Sequence, residues 1–291
     1  MQKSPLSRIP PKEFITTREG NPSAFSLPPL PLMSHNRSPL AALVTGVEHS
    51  GTTHLASLIK CHPKIRGGFE CGVLLAKFPK DLATLSPFFD WLKEQGDRQW
   101  SLSDEQAEQV TLATDWDEVY CRICEFSHLF RPGDLLLDKC PAYTQSLNSV
   151  LKKVDRPCFV TVKRIVAQYS SFKKRGFKLD KFIDHYLAYT SGLLAALPTH
   201  HDQIMMIWHD QLVQQPLIIM EKVFEKMGLE MPIAEIETHL IENLNRHSQP
   251  RLGSFNYQGL EEIYKSLSEE EVAALSLVSL DNKIETLFQI L

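Results

Sequence analysis

Eight consecutive residues, Gly46-Val47-Glu48-His49-Ser50-Gly51-Thr52-Thr53, carry the clearest chemical signal in this chain. Two glycines let the backbone turn so that successive N–H groups point inward. A helix that opens directly afterwards adds partial positive charge, and together these features stabilise a phosphate. The spacing from Gly46 to Gly51 is that of a nucleotide-triphosphate loop, yet Thr52 stands where that loop requires lysine. A loop without the lysine suits a smaller anion, such as a single phosphate with one further group attached. A plain glycine-containing strand–helix turn is the competing reading. The strand before and the amphipathic helix after favour anion binding.

Such a loop must be held by regular elements. The run AALVTG beginning at Ala41 is short, apolar and closed by Gly46, as a buried strand is. Leu55, Leu58 and Ile59 then mark one face of a helix. Further strands are expected at Leu135–Asp138, Cys158–Lys163 and Ile204–Trp208. Helical pattern covers Gly72 to about Phe130, broken near Pro79, Pro87 and Gly96, with Ser103 and Gln106 spaced as a capping box. Helices are also expected from Tyr143 to about Val154, Ile165 to Arg175, along the stripe Phe182, Tyr186, Tyr189 and Leu193, over Pro216–Met227 with Gly228 as its cap, and as one long helix over Glu269–Leu291. Strands alternating with helices predict an α/β fold, three layers with a mainly parallel central sheet, whose ligands lie beyond the carboxyl ends of the strands.

With these elements in place, GVEHSGTTHLASLIKCHPKIRGG resembles the 5′-phosphosulfate loop of the sulfotransferases that use 3′-phosphoadenosine 5′-phosphosulfate (PAPS). That superfamily typically shows a Lys or Arg, then Ser-Gly-Thr-Thr, an apolar helix, and often His-Pro. Here stand Ser50-Gly51-Thr52-Thr53 and His62-Pro63, with His49 in the cation's place. The family's 3′-phosphate motif, Arg at a strand end and Ser eight residues on, is similar to Lys163 and Ser171, which precedes Phe172-Lys173-Lys174-Arg175. Lysine keeps the charge but loses the bidentate fork, and Arg164-Ile165 replaces the usual Asp-Pro. Leu137-Asp138-Lys139-Cys140-Pro141 resembles the family's strand ending in a Lys-x-Pro turn, and Trp208–Leu212 with Pro216 resembles its Tyr-Glu-Asp-Leu…Pro segment. The pattern is closest to the bacterial and Golgi-type branch that includes the protein-tyrosine sulfotransferases, and it spans roughly Ala41 to Met231.

The resemblance implies a P-loop-like sulfotransferase fold and PAPS as donor co-substrate, with no metal. It implies that His49, Ser50, Gly51, Thr52 and Thr53 hold the 5′-phosphosulfate, and Lys163 and Ser171 the 3′-phosphate. Arg251, near Gly253, is a candidate to close over that phosphate. His49 serves if the anion keeps it protonated. Glu70, following Gly67 and Gly68, aligns on His62-Pro63 with the branch's catalytic glutamate and is the candidate base; the glycines allow the chain to bend back towards the loop. Lys139 is the candidate to stabilise the bridging oxygen, and His128 is an alternative base. An inactive nucleotide-binding protein on the same fold is the second reading. A P-loop kinase is the third, opposed by Thr52.

Composition sets the outer bounds. The chain has 291 residues, 43% hydrophobic and 23% charged, with a net charge of −4. Those values fit a globular protein and exclude a strongly basic nucleic-acid coat. Residues 1–39 hold eight of the eighteen prolines and read as an extended arm, with 40–291 as a single domain. No apolar run spans a bilayer and the first residues lack an apolar signal core. Six cysteines do not form a disulfide scaffold, and Cys121 and Cys124 read as two thiols on one helix, so a reducing cytoplasmic setting is expected. The acceptor is a small molecule, a glycan or a peptide. The basic stretch Lys173–Lys181 favours an anionic acceptor, whereas Phe88, Phe89, Trp91 and Trp100 favour an apolar one.

Overall fold

The computed structural model describes residues 38–246 and 259–290. The expected arm lies outside them except for Ser38 and Pro39. Strand β1 (Leu40–Gly46) leads into α1 (Thr52–Ile59) and a two-residue strand, β2 (Ile65–Arg66). A long excursion follows, with short 3-10 turns at Val73–Leu75 and Pro79–Thr84 and helices α2 (Phe88–Lys93), α3 (Asp104–Thr111) and α4 (Trp116–Phe126). The chain returns through β3 (Leu135–Lys139), a 3-10 turn at Pro141–Ser146, α5 (Leu147–Leu151), β4 (Cys158–Val162), α6 (Ile165–Lys173) and α7 (Leu179–His200). Then come β5 (Ile204–Trp208), α8 (His209–Gln214), α9 (Pro216–Met227) and α10 (Ile233–Arg246), and finally α11 (Leu260–Lys265), α12 (Glu269–Val278) and α13 (Asp281–Ile290).

The strands form one five-stranded sheet in the order β2-β3-β1-β4-β5, with every neighbouring pair parallel. Alternation along each strand makes the layers, because successive side chains point to opposite faces. Leu43 of β1, Val160 of β4 and Met206 of β5 pack with Leu147, Val150 and Leu193 of α5 and α7. Ala42, Val44, Phe159 and Ile207 pack instead with Leu55 and Ile59 of α1 and Met220 and Phe224 of α9. Burial of each such Leu, Ile or Phe contributes about 1.5–3 kcal/mol. A third cluster joins α6, α7 and α12 through Phe172, Phe182, Tyr186 and Leu275.

Three expectations change. The excursion is less helical than its sequence pattern, and the helix expected from Tyr143 opens as a 3-10 turn before α5. The C-terminal helix is two helices, because Ser279 is extended and redirects the chain. That break lets Asp281 Oδ2 accept a hydrogen bond from the Ile165 N–H at 3.1 Å, which caps α6, while its Oδ1 accepts one from Tyr186 Oη at 3.3 Å. The fifth strand, β2, is too short to leave a sequence signature. Among the described residues no helix is long and apolar enough to cross a membrane.

Candidate active site

The loop after β1 lies at the carboxyl edge of the sheet, where β1 pairs Gly46 with Thr161 of β4. Ser50 is fully buried, and its hydroxyl lies 2.6 Å from Thr161 Oγ1, which fastens the loop to β4. On the other side the Gly46 N–H donates to Thr144 Oγ1 at 2.8 Å. The Glu48 carbonyl accepts from Gln168 Nε2 of α6 at 2.7 Å, and its carboxylate accepts from Tyr189 Oη at 3.2 Å. Gly51 has φ 104°, and a β-carbon there would sit 2.7 Å from His209 Cδ2. Only glycine suits both the left-handed backbone and that contact. Thr52 is buried and Thr53 exposed. The N–H groups of Gly51, Thr52 and Thr53 have no hydrogen-bond partner among the described residues. They are the donors that a helix start presents to an anion.

Lys163 directly follows β4, and about two turns of α6 bring Ser171 back to it: Nζ donates to Ser171 Oγ at 3.0 Å. Ser171 Oγ in turn donates to the Ala167 carbonyl at 3.2 Å. Burial lowers the Lys163 pKa to about 8; Lys174 and Arg175 push the same way and Asp210 opposes them. His49 faces this group, edge-on to Phe172 with ring centroids 4.9 Å apart. Burial first, and then Arg175, Lys163 and His185, press its pKa down to about 4. The neutral ring of His49 is thus favoured in the unliganded chain, and its expected protonation depends on a bound anion. The cations sit beside it, on Lys163 and Arg175. Positive charge of this kind, beside Asp210, is what an anionic ligand offsets, so these residues fit a phosphorylated donor.

On the opposite wing, Lys139 ends β3 level with Val44 of β1. Its Nζ meets Glu70 Oε1 at 2.6 Å, and both side chains are largely buried. The sequence-predicted base and the sequence-predicted cation thus form one ion pair. Gly67 and Gly68 have no positive φ, and both permit close packing. A β-carbon on Gly67 would lie 2.4 Å from the Leu137 carbonyl, and one on Gly68 2.8 Å from Trp100 Cε2. Trp100 Nε1 donates to the Phe69 carbonyl at 2.6 Å, and the Phe69 N–H donates to the Arg98 carbonyl at 2.9 Å. His128 is exposed in the turn after α4.

Beneath the pair lies Asp138, fully buried, whose Oδ2 accepts from Tyr120 Oη and Tyr143 Oη, each at 2.7 Å. Tyr143 Oη also accepts from the Leu74 N–H at 3.3 Å. The carboxylate thereby ties the residue next to Lys139 to the segment that follows Glu70. Burial raises its pKa, against the two tyrosine hydrogen bonds. Sequence reasoning missed this centre and also His209, which packs on Gly51. The available signal was one acid closing the apolar run Leu135–Asp138, since a buried carboxylate needs donors. Arg251 lies outside the described residues.

Parallel α/β architecture, a lysine-less glycine turn after β1 and paired polar groups at both flanking strands together make up a candidate active site. The model of the sulfotransferase family matches residues 41–232, more than half of the chain, and the chain belongs to that family. Two solved structures share the fold. Sulfotransferase STF9 from Mycobacterium avium is 15% identical with a TM-score of 0.50, the match covering 86% of this chain and 76% of that one. The sulfotransferase domain of the Synechococcus PCC 7002 olefin synthase is 16% identical with a TM-score of 0.52, covering 80% of this chain and 92% of that one. No curated protein sequence matches the chain significantly.

Proposed function

We propose that this protein transfers a sulfuryl group from PAPS to an acceptor hydroxyl. The observation that carries the reading is the pairing of its functional groups on two sides of the phosphate loop: Lys163 with Ser171, and Lys139 with Glu70. The first pair, with Arg175, binds the donor's 3′-phosphate. The free N–H groups of Gly51, Thr52 and Thr53 bind its 5′ end, and His49 in the same loop gains a proton beside the bound anion. The donor supplies an activated sulfur whose bond to the bridging oxygen breaks as the acceptor oxygen bonds to it.

Glu70 takes the hydroxyl proton in this reading. Protonation removes its negative charge, which weakens its hold on Lys139. The freed ammonium then stabilises charge developing on the bridging oxygen, the electrostatic contribution such reactions depend on. Calorimetric titration with adenosine 3′,5′-bisphosphate tests donor binding. Micromolar affinity is expected in the native chain, with a loss of about tenfold or more in Lys163→Ala and Ser171→Ala. No heat and no thermal shift in the native chain would defeat the reading. Turnover of labelled donor should fall about 10²–10⁴-fold in Glu70→Gln with bisphosphate affinity retained. The tight Glu70–Lys139 pair and neutral His49 favour one alternative, a nucleotide-binding protein without turnover. Bisphosphate binding with no sulfate transfer to any acceptor would select it.

A further inference from the structure

The segment Gly67–Glu70 gathers cations that donor binding does not use. Lys60, at the end of α1, donates from Nζ to the Gly67 carbonyl at 3.3 Å. Arg98 is held alongside through the hydrogen bond from the Phe69 N–H to its carbonyl. Lys139 reaches Glu70 and lies over the Phe69 ring, 5.3 Å from its centroid. Phe69 is 40% exposed, and its ring meets Trp91 edge-on at 5.0 Å. Lys60 and Arg98 thus lie along the Gly67–Phe69 backbone, next to the Lys139–Glu70 pair and an exposed aromatic edge. The charges that bear on Lys60 are Lys139 and Arg98, both positive, and they and the burial of its ammonium lower its pKa although the residue as a whole is exposed. Among the described residues, no carboxylate pairs with Lys60 or Arg98.

We infer that Lys60 and Arg98 form an acceptor subsite that takes an anionic group, a carboxylate in the first instance, on a molecule whose apolar or aromatic face rests on Phe69 and Trp91. This inference rests on the proposed role of Glu70 and Lys139 as the reacting end. Like charges held together without a counter-charge gain most from an anion that arrives with its own desolvated partner surface. Glu70 repels that anion, so the subsite selects acceptors in which the charge and the reacting hydroxyl lie on opposite ends of a rigid body. The basic stretch Lys173–Lys181, expected from sequence to greet an anionic acceptor, begins at a residue already paired: Lys173 Nζ lies 2.7 Å from Glu271 Oε2. Trp100, expected to line an apolar acceptor site, is buried in the core.

The test compares 4-hydroxybenzoate with the isosteric, uncharged 4-hydroxybenzamide, each titrated into the full chain with adenosine 3′,5′-bisphosphate present. The carboxylate should bind about tenfold more tightly, and its advantage should shrink with added salt. In the double variant Lys60→Gln, Arg98→Gln the two probes should bind alike, and in Lys60→Glu, Arg98→Glu the amide should bind better. Thermal midpoints of both variants establish that the chain folds. Equal binding of the probes to the native chain, binding of neither, or a preference that survives both double variants would overturn the subsite. The donor reading fails separately: a chain that binds no bisphosphate yet prefers the carboxylate keeps the subsite and loses the donor.

Discussion

Lys163 is a cation that the fold has brought close to neutrality. Its pKa, ordinarily near 10.5, is about 8 in the unliganded chain, chiefly through burial. An anion bound against it restores the charged form, so binding and protonation are linked. Bisphosphate affinity should therefore be full below about pH 8 and should fall by up to tenfold per pH unit as the pH rises past that value. Calorimetry between pH 7 and 9.5 reads this slope. Lys163→Arg should flatten it, because a guanidinium does not deprotonate in that range. A native slope that persists in the arginine variant would place the titration on another group. His49 follows the same logic at lower pH: with its pKa at about 4, it gains a proton only in acid or beside a bound anion.

Elements whose ends are decided locally were legible in the sequence. Ser103 and Gln106 exchange both hydrogen bonds of the expected capping box, and Gly228 closes α9 in the left-handed conformation. The contact of Lys163 with Ser171 was legible because a strand end and the helix following it lie close along the chain. The Asp138 centre was not, since nothing in the sequence marks Tyr120 and Tyr143, 18 and 5 residues away, as its donors, and neither was the break before Asp281, whose partner Ile165 lies 116 residues away. Glu271 shows how one side chain serves both ranges. It completes the capping box of α12 with Ser268 and also binds Lys173 and Tyr169 of α6. These contacts, led by Lys173, lower its pKa to about 2. Its contribution is present above its unfolded pKa, near 4.5, and is lost as the pH falls towards 2. Glu271→Gln should lower stability at pH 7 by ~1 kcal/mol, because the pair is partly exposed. In thermal melts the difference from the native chain should vanish as the pH approaches 2. Gly192 sets a stricter constraint on α7. A β-carbon there would meet the Thr144 carbonyl at 2.1 Å. Gly192→Ala should push α7 from the turn that holds Gly46 and cost ~1–3 kcal/mol, seen as a lower denaturation midpoint.

At the scale of the whole described body, β1 divides the labour. Groups proposed for the donor stand on the β4 side, and those proposed for the acceptor stand on the β3 side. The wall proposed for the acceptor is largely one excursion, residues 67–134, and its two ends meet: Arg66 Nε lies 3.6 Å from Asp134 Oδ2, and the Leu135 N–H donates to the Lys64 carbonyl at 2.7 Å. A stretch whose entry and exit are stapled together at the sheet is an interchangeable cassette. Grafting in the equivalent stretch from a relative of known acceptor, complete with that relative's own glutamate, should transplant the acceptor preference while the chimaera grips adenosine 3′,5′-bisphosphate as before. The ratio of kcat/KM values for the two acceptors would register the exchange. By that route this architecture can acquire a new client without rebuilding the half proposed to hold its donor.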